Sequence, residues 1–226
     1  MQDITLIGTY HAEKGDCNPS ELYTIIEAYN PEIIFEGIYL VDYNRYYVDS
    51  LGSRLETNTI IEYLYSHDIE HIPVDYIGRP PPFFLELHES MQKKIEKINM
   101  GYRKAIDLNS LYIGLYGFKY LNSINHRELT NWLNNEIVET LECINDEELI
   151  KINKKWLEFT DDLENVMISQ IYDYCTEHSF ERGLFYIDAA HRPSIIPKIQ
   201  KYNERSKIKL NWNYLDYGKL PFSYRE

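Results

Sequence analysis

Cysteine is scarce in this chain. Cys17, Cys143 and Cys175 are odd in number, widely spaced and form no C-x-x-C pair, which excludes a disulfide framework and a zinc knuckle. They read as free thiols in a reducing compartment. Long apolar runs are missing too: nothing approaches the ~20 residues of a membrane span. The opening Met1-Gln2-Asp3 has no positive charge, and the apolar run after it is too short for a signal peptide. A cytoplasmic protein is expected. Positive charge is in deficit, with 23 Lys and Arg against 36 Asp and Glu and a formal net charge of −13. That balance argues against a nucleic-acid backbone or an anionic membrane as the main partner. No G-x-S-x-G elbow, P-loop, G-x-G-x-x-G or H-E-x-x-H occurs, so serine-hydrolase, NTPase, dinucleotide-dehydrogenase and helical zinc-protease readings lack their defining residues.

What is present suffices for a core. Of 226 residues, 44% are hydrophobic, enough for one domain with a sizeable insertion. The chain is organised around Ile4-Thr-Leu-Ile-Gly-Thr-Tyr-His11, which reads as a buried strand broken by Gly8 and followed by a histidine. Leu184 to His191 repeats the plan: an apolar strand, the small pair Ala189-Ala190, then histidine. Ile33-Ile34-Phe35 ends on Glu36, and His71 to Val74 ends on Asp75. In open α/β sheets, ligands bind just beyond the carboxyl ends of the strands. Structural strand ends would more often carry Gly, Asn, Ser or Thr.

The intervening segments set the topology. Ser20, preceded by Pro19, is the expected N-cap of a helix carrying Leu22, Ile25, Ile26 and Tyr29, and Asn30-Pro31 stops it. Residues 4–36 thus read as a βαβ unit with a parallel strand pair. A second helix is expected from Thr59 to Ser66, before the strand ending at Asp75. After Arg79-Pro80-Pro81-Pro82 the pattern becomes helical to about residue 179. Leu85, Leu87, Met91, Ile95 and Ile98 form one stripe, and Leu129, Trp132, Leu133, Ile137, Val138 and Leu141 another. The expected fold is α/β: a mostly parallel central sheet flanked by helices, its core formed by 1–79 and 180–226, with an all-helical insertion over 80–179.

His11, Glu36 and His191, with Asp75, are expected to converge at the carboxyl edge of the sheet. Two imidazoles and a carboxylate suit a divalent ion (zinc, manganese, cobalt or iron) that would turn bound water into a nucleophile. Without a metal the same groups can do acid–base work. His67, His71, His88, His126 and His178 read as residues of polar surfaces.

The ordered pieces resemble a known family. Gly8, Thr9 and His11, then Pro31 and Glu36, then Ala189, Ala190 and His191 look like the TraB/PrgY/GumN group, related to the Tiki proteases and more remotely to the erythromycin esterases and the ChaN proteins. Glu164-Asn165 followed by Met167 is similar to the Arg-Asn-x-x-Met helix of that group. Two positions depart from it: Asp188 stands where glycine is expected, and Glu164 where arginine is expected, with Arg192 as a possible substitute. The resemblance implies a metal-dependent hydrolase scaffold acting on a peptide. His11, Glu36 and His191 would hold the ion or activate water, and Asn165 and Arg192 would orient a substrate, with Tyr10, Asp75 and Asp188 as further contacts. Two other readings stand beside it: a non-catalytic module binding a small ligand or peptide, and a metal-free esterase with His11 or His191 as general base.

Overall fold

The computed structural model describes residues 2–49 and 51–222. Its centre is a five-stranded sheet, parallel throughout, with helices on both faces, as the sequence predicts. β1 (Asp3–Thr9) leads through a loop to α1 (Pro19–Tyr29) and β2 (Ile33–Tyr39). Asn18, not Ser20, caps α1: its side chain accepts the Glu21 N–H at 3.0 Å, and Pro19 takes the first helical position, where no N–H is missed. Asn30 ends the helix in the left-handed conformation, φ 46°.

β2 runs into α2 (Leu40–Tyr43) and a wide π turn, Asn44–Val48; α3 (Leu55–Leu64) and β3 (Glu70–Asp75) follow. Next come α4 (Pro82–Ile98), α5 (Met100–Leu121), α6 (Ile124–Ile144) and α7 (Glu147–Glu177). No strand interrupts these four helices among the described residues. β4 (Arg182–Asp188), a short turn at Ala189–His191, α8 (Arg192–Arg205) and β5 (Asn211–Tyr214) complete the order.

The strands lie in the order β3-β2-β4-β1-β5. The expected direct pairing of β1 with β2 is therefore corrected. The crossover through α1 leaves a gap one strand wide, and β4, arriving late in the chain, fills it and bonds to both neighbours. This puts the two strands that precede a histidine side by side.

Each face of the sheet has its own core. Leu163, Met167, Ile168 and Ile171 of α7, with Ile195 and Ile199 of α8, cover Ile4, Leu6, Phe35 and Phe185. On the other face, Leu22 and Ile26 of α1, Ile60 and Tyr63 of α3 and Phe118 of α5 cover Ile7, Ile34 and Leu184. A smaller core of Met91, Ile95, Tyr102 and Leu141 joins the helices of the middle segment. The α4 stripe differs from expectation: Leu85, Leu87 and Ile98 are exposed, while His88 is buried and stacks on Trp156.

Candidate functional site

Parallel register sets Gly8 beside Ile187 and Thr9 beside Asp188, so β1 and β4 end together. Gly8 does not break the strand. It lies within β1, where an added Cβ would fall 2.5 Å from Arg192 Cδ and 3.0 Å from Ala189 Cβ. Glycine is needed so that the start of α8 can press against β1.

Beyond the strand ends, each histidine leans on a buried glutamate. His11 Nδ1 is 2.8 Å from Glu56 Oε1, which also accepts the Thr9 hydroxyl at 2.9 Å. His191 Nδ1 is 2.7 Å from Glu164 Oε1, which also accepts the Ser194 hydroxyl at 2.6 Å. Glu164 Oε2 takes Lys198 Nζ at 2.7 Å, and Lys198 also pairs with Asp161 at 2.6 Å. Glu56 comes from α3 and Glu164 from α7, on opposite faces of the sheet. A carboxylate only accepts, so each Nδ1 carries a proton and each Nε2 keeps its lone pair while the ring is neutral. His11 Nε2 lies 3.7 Å from Asp188 Oδ2, and its side chain is 46% exposed.

The electrostatics match this pairing. Burial works to lower the His11 pKa, but the hydrogen bond and charge of Glu56, helped by Asp188, outweigh it and raise it above 6.5. Burial works to raise Glu56, and the hydrogen bond and charge of His11 prevail and hold it below 4.5. Glu164 is likewise opposed by burial and held low by hydrogen bonds from His191, Lys198 and Ser194. Asp75, at the end of β3, behaves oppositely: burial pushes it up to about 6, against hydrogen bonds from the Ile77 and Gly78 amides and the charge of His191.

The structure thus brings His11, His191 and Asp188 to one edge, with Asp75 within electrostatic reach. Glu36 belongs elsewhere. Its Oε2 accepts His71 Nε2 at 2.8 Å and the Tyr47 hydroxyl at 2.9 Å in a buried cluster with Tyr43. Tyr10 packs among the apolar residues of the α1–α3 face. Asn165 turns away from the histidines and donates to the Asp161 carbonyl and carboxylate at 2.8 and 3.1 Å. Arg192 does not stand in for a substrate-orienting arginine beside His191; it reaches back over Gly8 to Asn122 Oδ1 at 2.6 Å and the Leu215 carbonyl at 2.8 Å. His71 and His126, expected on polar surfaces, are enclosed.

Glu56 escaped the sequence reading, though an acidic residue in the first turn of an apolar helix was a usable signal. Glu164 was visible as a departure from the family pattern, and its role is to hold His191. A metal on His11, Glu36 and His191 does not fit these residues. Glu36 is bound to His71 and Tyr47, and among the described residues no group of three or more His, Cys, Asp or Glu side chains is arranged to hold an ion. No family model, curated protein or solved structure matches this chain. Function is therefore read from the site itself.

Proposed function

We propose that this protein is a hydrolase of small esters or peptides that activates water with carboxylate-backed histidines, without a metal. The observation that carries the proposal is the pair of dyads, His11–Glu56 and His191–Glu164, at the ends of neighbouring strands. In each, the glutamate fixes the orientation and tautomer of the ring, leaving Nε2 to exchange a proton with a reacting group. His191 Nε2 removes a proton from water as the water oxygen bonds to the carbonyl carbon. His11, whose pKa Glu56 and Asp188 hold above its ordinary value, gives a proton to the departing alcohol or amine as the C–O or C–N bond breaks. Asp188 holds the His11 imidazolium. The proton on His191 then returns His11 to its starting state through solvent.

The likeness of Gly8-x-x-His11 and Ala189-Ala190-His191 to the TraB/PrgY/GumN motifs supports a hydrolase. The charge of −13 favours a small substrate over nucleic acid. The free Cys17, Cys143 and Cys175 suit the cytoplasm, and no helix among the described residues is long and apolar enough to cross a membrane.

The test is a screen of activated esters and short peptides before and after exhaustive chelation, with His11→Ala and His191→Ala beside the wild type. Turnover is expected to survive chelation and to fall about 10²–10⁴-fold in either variant. Turnover lost on chelation and restored by a divalent ion would return the reading to a metal-dependent hydrolase. Saturable peptide binding with no turnover would make this a binding module.

A further inference from the structure

The arginine that left the histidine edge points to a second site. Arg192 is 9% exposed, and its guanidinium donates to Asn122 and to the Leu215 carbonyl. Neither bond brings a negative charge. Among the described residues, no carboxylate oxygen lies within 4.0 Å of it. A buried guanidinium without a counterion is costly, since buried charges are almost always paired. Burial, with the repulsion of Arg127, pulls the Arg192 pKa down to about 10 despite the charge of Asp216.

Both arginines border the same recess. A cleft of about 200 Å³ lies between the N-cap and first turn of α6, which supply Ser123, His126 and Arg127, and the start of α8, which supplies Arg192. Tyr214 and Asp216 close it from the β5 side. Arg127, like Arg192, has no carboxylate partner among the described residues. His126 is only 4% exposed, and its ring nitrogens make no hydrogen bond among the described residues; burial keeps it neutral, with a pKa of about 3. Two helices of 21 and 14 residues aim their N-termini at this recess, so its field is positive. The Ile124 and His126 amides are already taken by the Gly218 carbonyl and Ser123 Oγ, so the helices supply field while the arginines and the His126 ring supply donors. Asp216 offsets one of the two positive charges and is itself engaged with the Gly218 amide at 2.7 Å.

From this arrangement we infer that the cleft between α6 and α8 binds a small tetrahedral oxyanion, a phosphate group, clamped between Arg127 and Arg192. The volume admits inorganic phosphate or the phosphate end of a small ester and excludes a nucleotide held whole. Occupancy would tie α8, and with it the residue after His191, to α6. The inference stands whether or not the dyads hydrolyse anything.

The experiment is a titration of the full-length protein with inorganic phosphate at constant ionic strength, read by amide and arginine side-chain NMR signals. Shifts confined to Ser123–Arg127 and Arg192–Gln200, saturating with a Kd of about 1 mM or tighter, are expected. Arg127 is exposed, so Arg127→Ala leaves the fold intact, and it should weaken binding about tenfold. Arg127→Lys should recover part of that loss. Glycerol phosphate in place of phosphate separates the sources: matching shifts identify a phosphoester ligand, and shifts with phosphate alone identify the free ion. No saturation, shifts scattered over the other lysines and arginines, or binding unchanged in Arg127→Ala would overturn the site.

Discussion

Replacing Asp75 by asparagine should stabilise this protein, and only above mildly acidic pH. Asp75 is 3% exposed at the end of β3, and one of its carboxyl oxygens accepts the Ile77 amide at 3.2 Å. Burial, the largest influence, raises its pKa from 3.8 to about 6. A carboxyl whose folded pKa lies above its unfolded value favours folding when protonated. Below pH 3.8 both states hold the proton, and the group contributes nothing to the pH dependence. As pH rises from there through about 6, the folded state must give up a proton it holds tightly, and stability is lost. The interval from 3.8 to about 6, at about 1.36 kcal/mol per pH unit, makes the full cost about 3 kcal/mol by pH 8. Asparagine keeps an acceptor for Ile77 and carries no charge. Urea unfolding of wild type and Asp75→Asn at pH 4, 6 and 8 should therefore give curves that differ by only about 0.5 kcal/mol at the lowest pH and diverge upward. A gain of 1–3 kcal/mol at pH 8 is expected, the lower end if the site relaxes around the charge. A difference that is the same at every pH, or a less stable variant at pH 8, would refute the reasoning.

Other perturbations read the dyads more directly. Glu56→Gln removes the charge that holds the His11 pKa up, so the His11 ring titration followed by NMR should move down; an unmoved titration would contradict the pairing. The same pair stabilises the fold most between about pH 4.5 and 6.5. His11, raised, gives stability that is lost as pH climbs through its folded pKa, and Glu56, lowered, gives stability lost as pH falls through its own. Glu164→Gln should cost about 3 kcal/mol in denaturant unfolding, because it strips a fully buried carboxylate from His191, Ser194 and Lys198 together. Gly8→Ala should cost about 1–3 kcal/mol and shift the His191 ring signals, since its Cβ meets the Arg192 stem and Ala189; a silent substitution would show that α8 docks more loosely.

The strands at this edge were legible because their cause is local. Ile4 to Ile7, Ile33 to Phe35 and Leu184 to Ile187 are apolar runs bounded by turn or polar residues, and each forms its strand. The neighbour order was not, because β4 enters between β1 and β2 from beyond the helical segment, and nothing in either strand's own residues specifies a partner. The histidines announced themselves at the strand ends, whereas their carboxylates lie 45 and 27 positions away in sequence, on helices. The sequence pattern puts His71, His88 and His126 on polar surfaces because a buried histidine and an exposed one look alike in a pattern of apolar spacing. Their burial follows from partners in the fold: Glu36, Trp156 and the cleft beside Arg192. The α1 cap slipped from Ser20 to Asn18 because Pro19 is better used inside the first turn than before it.

The two glutamates reach the edge from opposite layers, and this makes the site a check on both. Local opening of α3 would release His11 while His191 stayed held, and local opening of the middle of α7 around Glu164 would do the reverse. If the two dyads work together as proposed, competence at this edge requires both layers to be closed at once. Its population is the product of two separate closing equilibria, so it should decline under mild denaturant sooner than the spectroscopic signal of the sheet beneath.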